Sequence, residues 1–236
     1  MNFHFTIDQL GDSAVVIKWE QRIDPAVHGA VMQTYRGLQA ASSLYIRDLI
    51  PAYASLTVVY DAVLIRRRER RTAAEWIKSF ISTVMTGAQE SSIANARTLE
   101  IPVCYDPSLG WDIEEMARVR NVSPEDIATW HSQLTYTVYM IGFLPGFPYM
   151  GAVCEELVTP RLKQPRMQVP AGSVGIAGAQ TGVYTLQSPG GWNIIGRTPL
   201  RMFEAEREEP CYCRPGDQIK FVPVSLNTFQ QLQQEK

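Results

Sequence analysis

Hydrophobic positions near the start of the chain follow two spacings, one typical of strands and one typical of helices. Residues 14–19 form an apolar, β-rich run, which predicts a strand. Asp24 and Pro25 predict the start of a helix, because Asp is a good N-cap and Pro suits the first helical position. Apolar residues then recur at helical spacing: Val27, Val31, Tyr35 and Leu38.

The next stretch repeats this order of strands and a helix. Residues 45–50 and 56–60 are β-rich runs joined by a short connection, which predicts a hairpin. Thr72 and Glu75 have the spacing of a capping box. They precede an apolar stripe that can cover a sheet: Trp76, Ile77, Phe80, Ile81 and Val84. The order strand, strand, helix, strand, strand, helix predicts an α+β sandwich of the ferredoxin-like type.

Residues 87–97 lose this periodicity and are rich in small polar residues, as linkers are. We therefore expect a first domain over residues 1–90 and a second over residues 97–236. The second domain begins with a predicted strand at 99–105 and two short helices, one at 112–120 and one capped by Ser123.

Beyond Thr135, short β-rich runs alternate with Pro-Gly and Gly-Gly turns. This spacing predicts a closed or nearly closed β-barrel. The predicted strands are residues 136–143, 168–177, 182–186, 192–195, 200–203 and 218–224. A polar terminal helix is expected over residues 225–234.

Composition and charge exclude several classes of protein. Of the 236 residues, 45% are hydrophobic and 19% are charged, as in globular proteins, and a net charge of −2 gives no field that gathers nucleic acid or an anionic membrane. The start of the chain has no basic region before an apolar run, so we expect a cytoplasmic protein with neither kind of partner. Four cysteines without C-x-x-C pairs and only three histidines predict no bound metal.

Aromatic residues concentrate in the turn-rich segment 142–151. Proline and glycine turns there hold Phe143, Phe147 and Tyr149, whose rings could line a pocket. The alternative is that these rings only plug one end of the barrel. The three together favour the pocket.

Positive charges and glycine turns follow this segment. Arg166 could bind a carboxylate or phosphate through paired N–H groups, as could Arg161, although both also suit a solvated loop, the interpretation favoured for Lys163. The turns at 178–182 and 188–192 could present backbone N–H groups to an anion, or serve as barrel corners. Arg197 is a further candidate cation.

His131 ends a predicted helix, where the helix dipole favours its charged form. It could act as an acid or base, or be a structural residue of the helix end. The arginine-rich run at 66–71 is expected to be a solvated loop. The chain contains no phosphate-binding loop of the Walker type, no dinucleotide fingerprint and no G-x-S-x-G elbow, so a self-sufficient ATPase, dehydrogenase or serine hydrolase is not supported.

Three segments together resemble one bacterial family. They are GFLPGFPYMG at 142–151, PRLKQPRMQVPAGSVGIAGAQTGVY at 160–184 and SPGGWNIIGRTP at 188–199. The chain resembles the family that holds the 5-oxoprolinase B subunit and the sporulation kinase A inhibitor, also called allophanate hydrolase subunit 1. At residues 106–112 the chain departs from the Gly-Gly-x-x-Gly-Pro-Asp pattern that is usual there, and Leu162 replaces a residue that is commonly basic.

The resemblance implies a ferredoxin-like domain followed by a cyclophilin-like barrel without prolyl isomerase activity. It also implies ATP-dependent opening of 5-oxoproline to glutamate, with subunits A and C as partners. ATP with Mg would be bound in the assembled complex, with no cofactor bound by this chain alone. The alternatives are a urea carboxylase or allophanate hydrolase subunit, and an inhibitor that binds a sporulation histidine kinase.

For the enzyme, the candidate catalytic residues are His131 as proton carrier, Arg166 and Arg197 as anion contacts, and Gln180 for a substrate amide. The candidate substrate-binding residues are Phe143, Phe147, Tyr149, Thr181, Tyr184, Gly190 and Gly191. Replacing Arg166 by Ala is expected to leave the fold intact while lowering turnover.

Overall fold

The computed structural model describes residues 3–87 and 96–234. The chain divides into two compact units, Met1–Asn95 and Ala96–Lys236. Most of the predicted linker, residues 88–95, lies outside the described residues.

Within residues 3–87, the N-terminal unit contains one antiparallel sheet and three helices. Its elements are β1 (Thr6–Leu10), β2 (Ala14–Lys18), α1 (Pro25–Ala40), β3 (Ile46–Pro51), β4 (Ser55–Tyr60), α2 (Ala62–Glu69) and α3 (Ala73–Gly87). The strands pair in the order β1-β2-β4-β3. As the sequence indicates, α1 is capped by Asp24, whose carboxylate accepts a hydrogen bond from Ala26 N at 2.7 Å.

The core of this unit lies between one face of the sheet and the helices. Val15 and Ile17 of β2 and Leu56 and Val58 of β4 are fully buried on that face. The strand and helix order β-β-α-β-β-α-α differs from the β-α-β-β-α-β order of the ferredoxin-like fold, because β1-β2 and β3-β4 are both hairpins. The unit is therefore an α+β sandwich built from two hairpins.

Helix α2 corrects one expectation from the sequence. Most of the arginine-rich run, which we expected in a loop, is helical. The side chain of Asp61 accepts a hydrogen bond from Leu64 N at 2.8 Å and caps the helix. Arg66, Arg67 and Arg68 occupy the last turn, where positive charge is favourable to the helix dipole.

The C-terminal unit is mostly β-structure. Its elements are β5 (Thr98–Val103), α4 (Ile113–Arg120), α5 (Pro124–Ser132), β6 (Thr135–Ile141), β7 (Pro148–Gly151), a 3-10 turn (Glu155–Leu157), β8 (Arg166–Val169), β9 (Ser173–Ala177), β10 (Gln180–Val183), β11 (Ser188–Gly190), β12 (Asn193–Arg197), β13 (Gln218–Pro223) and α6 (Leu226–Gln234). The predicted strand at 168–177 is divided by a turn at Gly172, whose φ is +82°. Residues 200–203 form no strand beyond an isolated bridge from Phe203 to Cys211.

Seven of these strands form a nearly closed barrel. They pair in the order β12-β9-β10-β7-β6-β13-β5. Cys104, which follows β5, and Arg197 of β12 exchange two backbone hydrogen bonds of 2.9 Å, and so link the two edges of the sheet. Strands β8 and β11 form a separate two-stranded ribbon.

Apolar side chains lie on both sides of the barrel wall. Because side chains alternate along a strand, neighbouring residues belong to different clusters. Val183 and Ile195 pack into the inner core, whereas Tyr184 and Ile194 pack on the outer face. The ribbon supplies Val169 to the outer cluster.

The helices of both units are short. The longest, α1, has 16 residues and spans about 24 Å, against about 30 Å for the hydrocarbon core of a bilayer. Within residues 3–87 and 96–234, no helix combines the length and the apolar character needed to cross a membrane.

The N-terminal core yields a stability prediction. Leu56→Ala should lower the free energy of unfolding by about 2–5 kcal/mol, because a fully buried leucine leaves a cavity. Ile50→Ala is the matched control, since Ile50 is 44% exposed on the neighbouring strand and should cost little. Denaturant titration of both variants measures the two losses, and equal losses would contradict the assigned core.

Candidate functional site

Five aromatic residues gather on the outer face of the barrel, and we call them the aromatic cluster: Phe143, Phe147, Tyr149, Tyr184 and Trp192. The ring of Phe147 is central. Its centroid lies 5.4 Å from those of both Tyr184 and Trp192, at interplanar angles of 87° and 84°. This edge-to-face arrangement is the favourable one for aromatic pairs.

Glycine positions let these rings approach the backbone closely. A Cβ at Gly182 of β10 would lie 2.8 Å from the Phe147 ring, and a Cβ at Gly190 would overlap the hydroxyl of Tyr184. The glycine-rich turns that suggested an anion site are thus also required for packing the cluster. A Cβ at Gly191 would lie 3.8 Å from the carbonyl oxygen of Leu162.

Phe143 forms the solvent-exposed edge of the cluster. It is 62% exposed and has a left-handed backbone with φ of 68°. Its ring stands edge-on to Phe147 at 5.6 Å and to Tyr184 at 6.4 Å. A bulky residue in this backbone conformation is uncommon, and here it places an aromatic ring in contact with solvent.

Two tyrosine hydroxyls belong to the cluster. Burial raises the pKa of both Tyr149 and Tyr184. The backbone N–H of Trp192 hydrogen-bonds the Tyr184 hydroxyl and opposes that shift, and so does the positive charge of Arg161 at both rings. Both phenols are therefore neutral near pH 7 and can donate as well as accept hydrogen bonds.

Arg161 lies beside these hydroxyls. Its neighbours are fixed, because Leu162 N donates to Gly191 O at 2.8 Å and the Asn193 side chain donates to Pro160 O at 2.9 Å. The Arg161 side chain itself is exposed, and among the described residues it makes no hydrogen bond or ion pair. The cluster thus has an unpaired guanidinium next to it.

Arg166 is instead held inside the protein. Its two terminal nitrogens donate to the carboxylate of Asp112 at 2.9 and 2.6 Å, and its guanidinium lies 5.4 Å from the centre of the Trp111 ring. Asp112 also accepts a hydrogen bond from Ile194 N at 2.6 Å. Segment 106–112 therefore supplies the carboxylate that ties β8 to β12.

Arg197 lies where the barrel edges meet. Its Nε donates to Ala171 O at 2.8 Å, and burial lowers the pKa of its guanidinium. Gln180 begins β10, next to the inward-facing Thr181, so its partly exposed side chain lies on the outer face with Gly182.

His131 lies on the other side of the wall, inside the barrel. Its Nδ1 is 2.7 Å from the Tyr105 hydroxyl and its Nε2 is 2.8 Å from Thr181 Oγ1. Because Thr181 Oγ1 donates to Gly175 O, it accepts from Nε2–H, and Nδ1 then accepts from Tyr105. Burial lowers the pKa of His131 to about 3, so the ring is neutral despite its place at a helix end.

The structure thus divides the candidate residues into two groups. Phe143, Phe147, Tyr149 and Tyr184 meet on the outer face, whereas His131 and Thr181 meet in the interior. Sequence reasoning did not single out Trp192 or Asp112. Trp192 follows two of the glycines that we noted, so an aromatic residue beside a glycine-rich turn was the available signal.

Known proteins are similar to this chain over most of its length. Residues 5–213 match the family described as carboxyltransferase domain, subdomain C and D. The B subunit of 5-oxoprolinase from Bacillus subtilis (strain 168) is 38% identical over 238 aligned positions, covering 100% of this chain and 99% of that protein. The B subunit of 5-oxoprolinase from Escherichia coli O157:H7 is 36% identical over 217 positions, covering 91% and 94%.

A solved structure adds a likeness in fold. The crystal structure of TTHA0988 matches 90% of this chain with 32% identity and a TM-score of 0.77. This chain spans only 40% of the length of TTHA0988.

The buried His131 predicts a pH dependence of stability. The folded pKa of about 3 lies below the ordinary value of 6.5, so only the unfolded chain binds a proton at mildly acidic pH. The stability that depends on a neutral His131 is fully present above pH 6.5 and is lost as the pH falls towards 3. About 2 kcal/mol of the free energy of unfolding is lost between pH 7 and pH 5. In His131→Gln, the free energy of unfolding should fall by about 2 kcal/mol less between pH 7 and pH 5 than in the unmodified protein. Identical pH profiles would show that His131 is not buried as a neutral ring.

The Arg166–Asp112 pair predicts that the two side chains stabilise the fold jointly. Arg166→Ala should therefore lower the free energy of unfolding, rather than leave the fold intact as the sequence suggested. The two side chains are only 28% and 13% exposed, so removing Arg166 leaves a largely buried carboxylate without its cation. A double-mutant cycle with Asp112→Ala should give a coupling of about 1–3 kcal/mol. The exposed pair Arg118–Glu115 is the control and should give less than about 0.5 kcal/mol. Equal couplings in the two cycles would contradict a structural role for the pair.

Proposed function

This chain belongs to the carboxyltransferase C and D subdomain family, and from that premise we propose that it is the B subunit of an ATP-dependent 5-oxoprolinase. The observation that carries the proposal is the match to two 5-oxoprolinase B subunits at 38% and 36% identity over nearly their whole lengths. In this proposal the chain acts with subunits A and C to convert 5-oxoproline to glutamate.

The aromatic cluster suits the ring of the proposed substrate. A five-membered lactam has apolar methylene groups that can pack on aromatic rings, and polar groups that need defined partners. We assign the accessible wall of the site to Phe143 and the partly exposed Tyr149, with Phe147 and Tyr184, each 1% exposed, packed beneath them. Gln180, on the same outer face, is assigned to the lactam amide, because a carboxamide can donate and accept at once.

Charge neutralisation is assigned to arginines near this face. Phosphorylation of the lactam oxygen would bring an anionic phosphoryl group to the substrate, and fixed cations lower the energy of such a transfer. Arg197 is proposed as an anion contact. Arg166 contributes its positive charge near Tyr184, while its hydrogen bonds to Asp112 give it the added role of fixing the ribbon.

His131 receives a different role from the proton carrier that its position in the sequence suggested. A ring with no exposed surface and two internal hydrogen bonds cannot exchange protons with a substrate on the outer face. We propose that His131 and Thr181 hold β10 in place beneath the cluster. The proton carrier would then be another group of the assembled enzyme.

The proposal places ATP and Mg in the assembled complex. The sequence of this chain contains no recognised nucleotide-binding loop. In TTHA0988 the matching region is joined to further sequence, which supports a unit that works beside additional polypeptide. The isolated chain is therefore proposed to be inactive, with Gly190 and Gly191 near the substrate and the nucleotide held elsewhere.

The test is co-expression with subunits A and C and measurement of glutamate released from 5-oxoproline and ATP. Phe143→Ala should raise KM for 5-oxoproline about tenfold, because it removes an exposed ring without leaving a core cavity. Val119→Ala, which also removes an exposed apolar side chain of the C-terminal unit, should leave KM unchanged.

Two results would contradict the proposal. One is the absence of glutamate release from an intact complex. The other is ATP turnover that depends on urea rather than on 5-oxoproline, which would favour the urea-type alternative. Turnover by the isolated chain would contradict the proposed division of the site between subunits.

A further inference from the structure

Arg161 differs from Arg120, Arg166 and Arg197 in having no partner among the residues that the structure describes. Arg166 is bound to Asp112, Arg197 donates to Ala171 O, and Arg120 donates to main-chain oxygens that include Met116 O. The exposed guanidinium of Arg161 makes no such bond within residues 3–87 and 96–234. A guanidinium has a planar set of donors that matches a carboxylate in bidentate geometry.

We infer that Arg161 is the residue that recognises the carboxylate of the substrate, and that the site selects small cyclic amides bearing a carboxylate next to the ring nitrogen. The inference rests on the proposed function, and it adds a specificity-determining residue to it.

The backbone around Arg161 is fixed although its side chain is exposed. Hydrogen bonds on either side of it, from Asn193 to Pro160 O and from Leu162 N to Gly191 O, attach this segment to residues 191–193. Trp192 of the aromatic cluster lies between those two attachment points in sequence. The Cα of Arg161 is therefore held at the border of the cluster, which limits the entropy lost when its side chain binds a ligand.

The electrostatic influence of Arg161 reaches both phenols of the cluster. Burial raises the pKa of Tyr149 and Tyr184, and the charge of Arg161 acts against the shift at each ring. Ionisation of Tyr149 would raise the pKa of Tyr184 further, and the positive charge of Arg166 lowers it, so these polar groups converge on one region. Lys163 lies two residues away in the same segment and is also exposed.

This convergence gives a cyclic amide acid three kinds of partner. Its methylene groups would pack on the exposed Phe143 ring, its carboxylate would pair with Arg161, and the partly exposed Tyr149 hydroxyl would donate a hydrogen bond to one of its oxygens. Without the carboxylate, Arg161 would lose the ion pair and the bidentate geometry and keep only a hydrogen bond to a neutral carbonyl oxygen. The preference for the acid over its neutral amide therefore measures the contribution of Arg161 separately from that of the rest of the site.

The experiment compares 5-oxoproline with 5-oxoprolinamide as substrates of the complex assembled with subunits A and C. Arg161→Gln should lower kcat/KM for the acid about 30-fold, as expected for the loss of one charge-assisted pair. It should lower kcat/KM for the amide less than about fivefold, because only a neutral hydrogen bond is lost, and should leave KM for ATP unchanged. Arg161→Lys should restore part of the preference for the acid. Lys163→Gln, in the same exposed segment, is the matched control and should behave as the unmodified protein.

The outcomes separate the inference from the proposed function. An unmodified complex that releases no glutamate overturns the proposed function, and the inference with it. An active complex whose Arg161→Gln variant keeps the full preference for the acid overturns the inference alone. An equal fall in activity with acid and amide would also overturn it, because that pattern belongs to a structural role.

Discussion

The close packing of aromatic rings on glycine positions of the barrel wall is the constraint on which the candidate site depends. Phe147 can lie against β10 only because Gly182 has no side chain, and Tyr184 can occupy its position only because Gly190 has none. Once these two rings are fixed, Trp192 packs edge-on against Phe147 and Tyr149 packs against it at a tilt of 58°. The site is thus preorganised by sterics rather than by polar contacts.

Strand β10 contributes residues to both faces of the barrel wall. On β10, Thr181 points inward to His131, and Gly182 faces outward beneath Phe147. The inner hydrogen bonds join α5 to the barrel and leave no donor of the histidine unpaired. A change inside the barrel would therefore reach the aromatic cluster through the register of this strand. Thr181, which packs in the interior, and Gly182, which lies beneath the candidate site, are thus neighbours in sequence.

Pairing with a carboxylate also decides which arginine near the aromatic cluster remains accessible. The carboxylate of Asp112 satisfies Arg166 and one backbone donor together, which stabilises the ribbon that carries Val169 into the outer cluster. Using Arg166 in this way leaves Arg161 as the accessible guanidinium beside the phenols. Two arginines five residues apart in sequence thus have different chemistry, because only one of them meets a carboxylate.

The sequence by itself determined the elements and the class of each unit. Periodicity and capping residues predicted α1, α3 and α5, and the regular turns predicted a nearly closed barrel, because these features depend on neighbours a few residues away. The main miss among the helices, α2, followed from treating an arginine-rich run as a loop although Asp61 could cap it. The aromatic and glycine residues of the cluster were also readable in the sequence, but only as separate motifs.

Tertiary structure alone decided which of those residues share a face and which charges are paired. Arg166 meets Asp112 across 54 residues, and His131 meets Thr181 across 50, so no local pattern could reveal either contact. The burial of His131 reverses the charge that its helix end would favour, because desolvation in the core outweighs a dipole at a helix terminus. The candidate site therefore depends on long-range packing, which brings distant side chains together and sets their protonation.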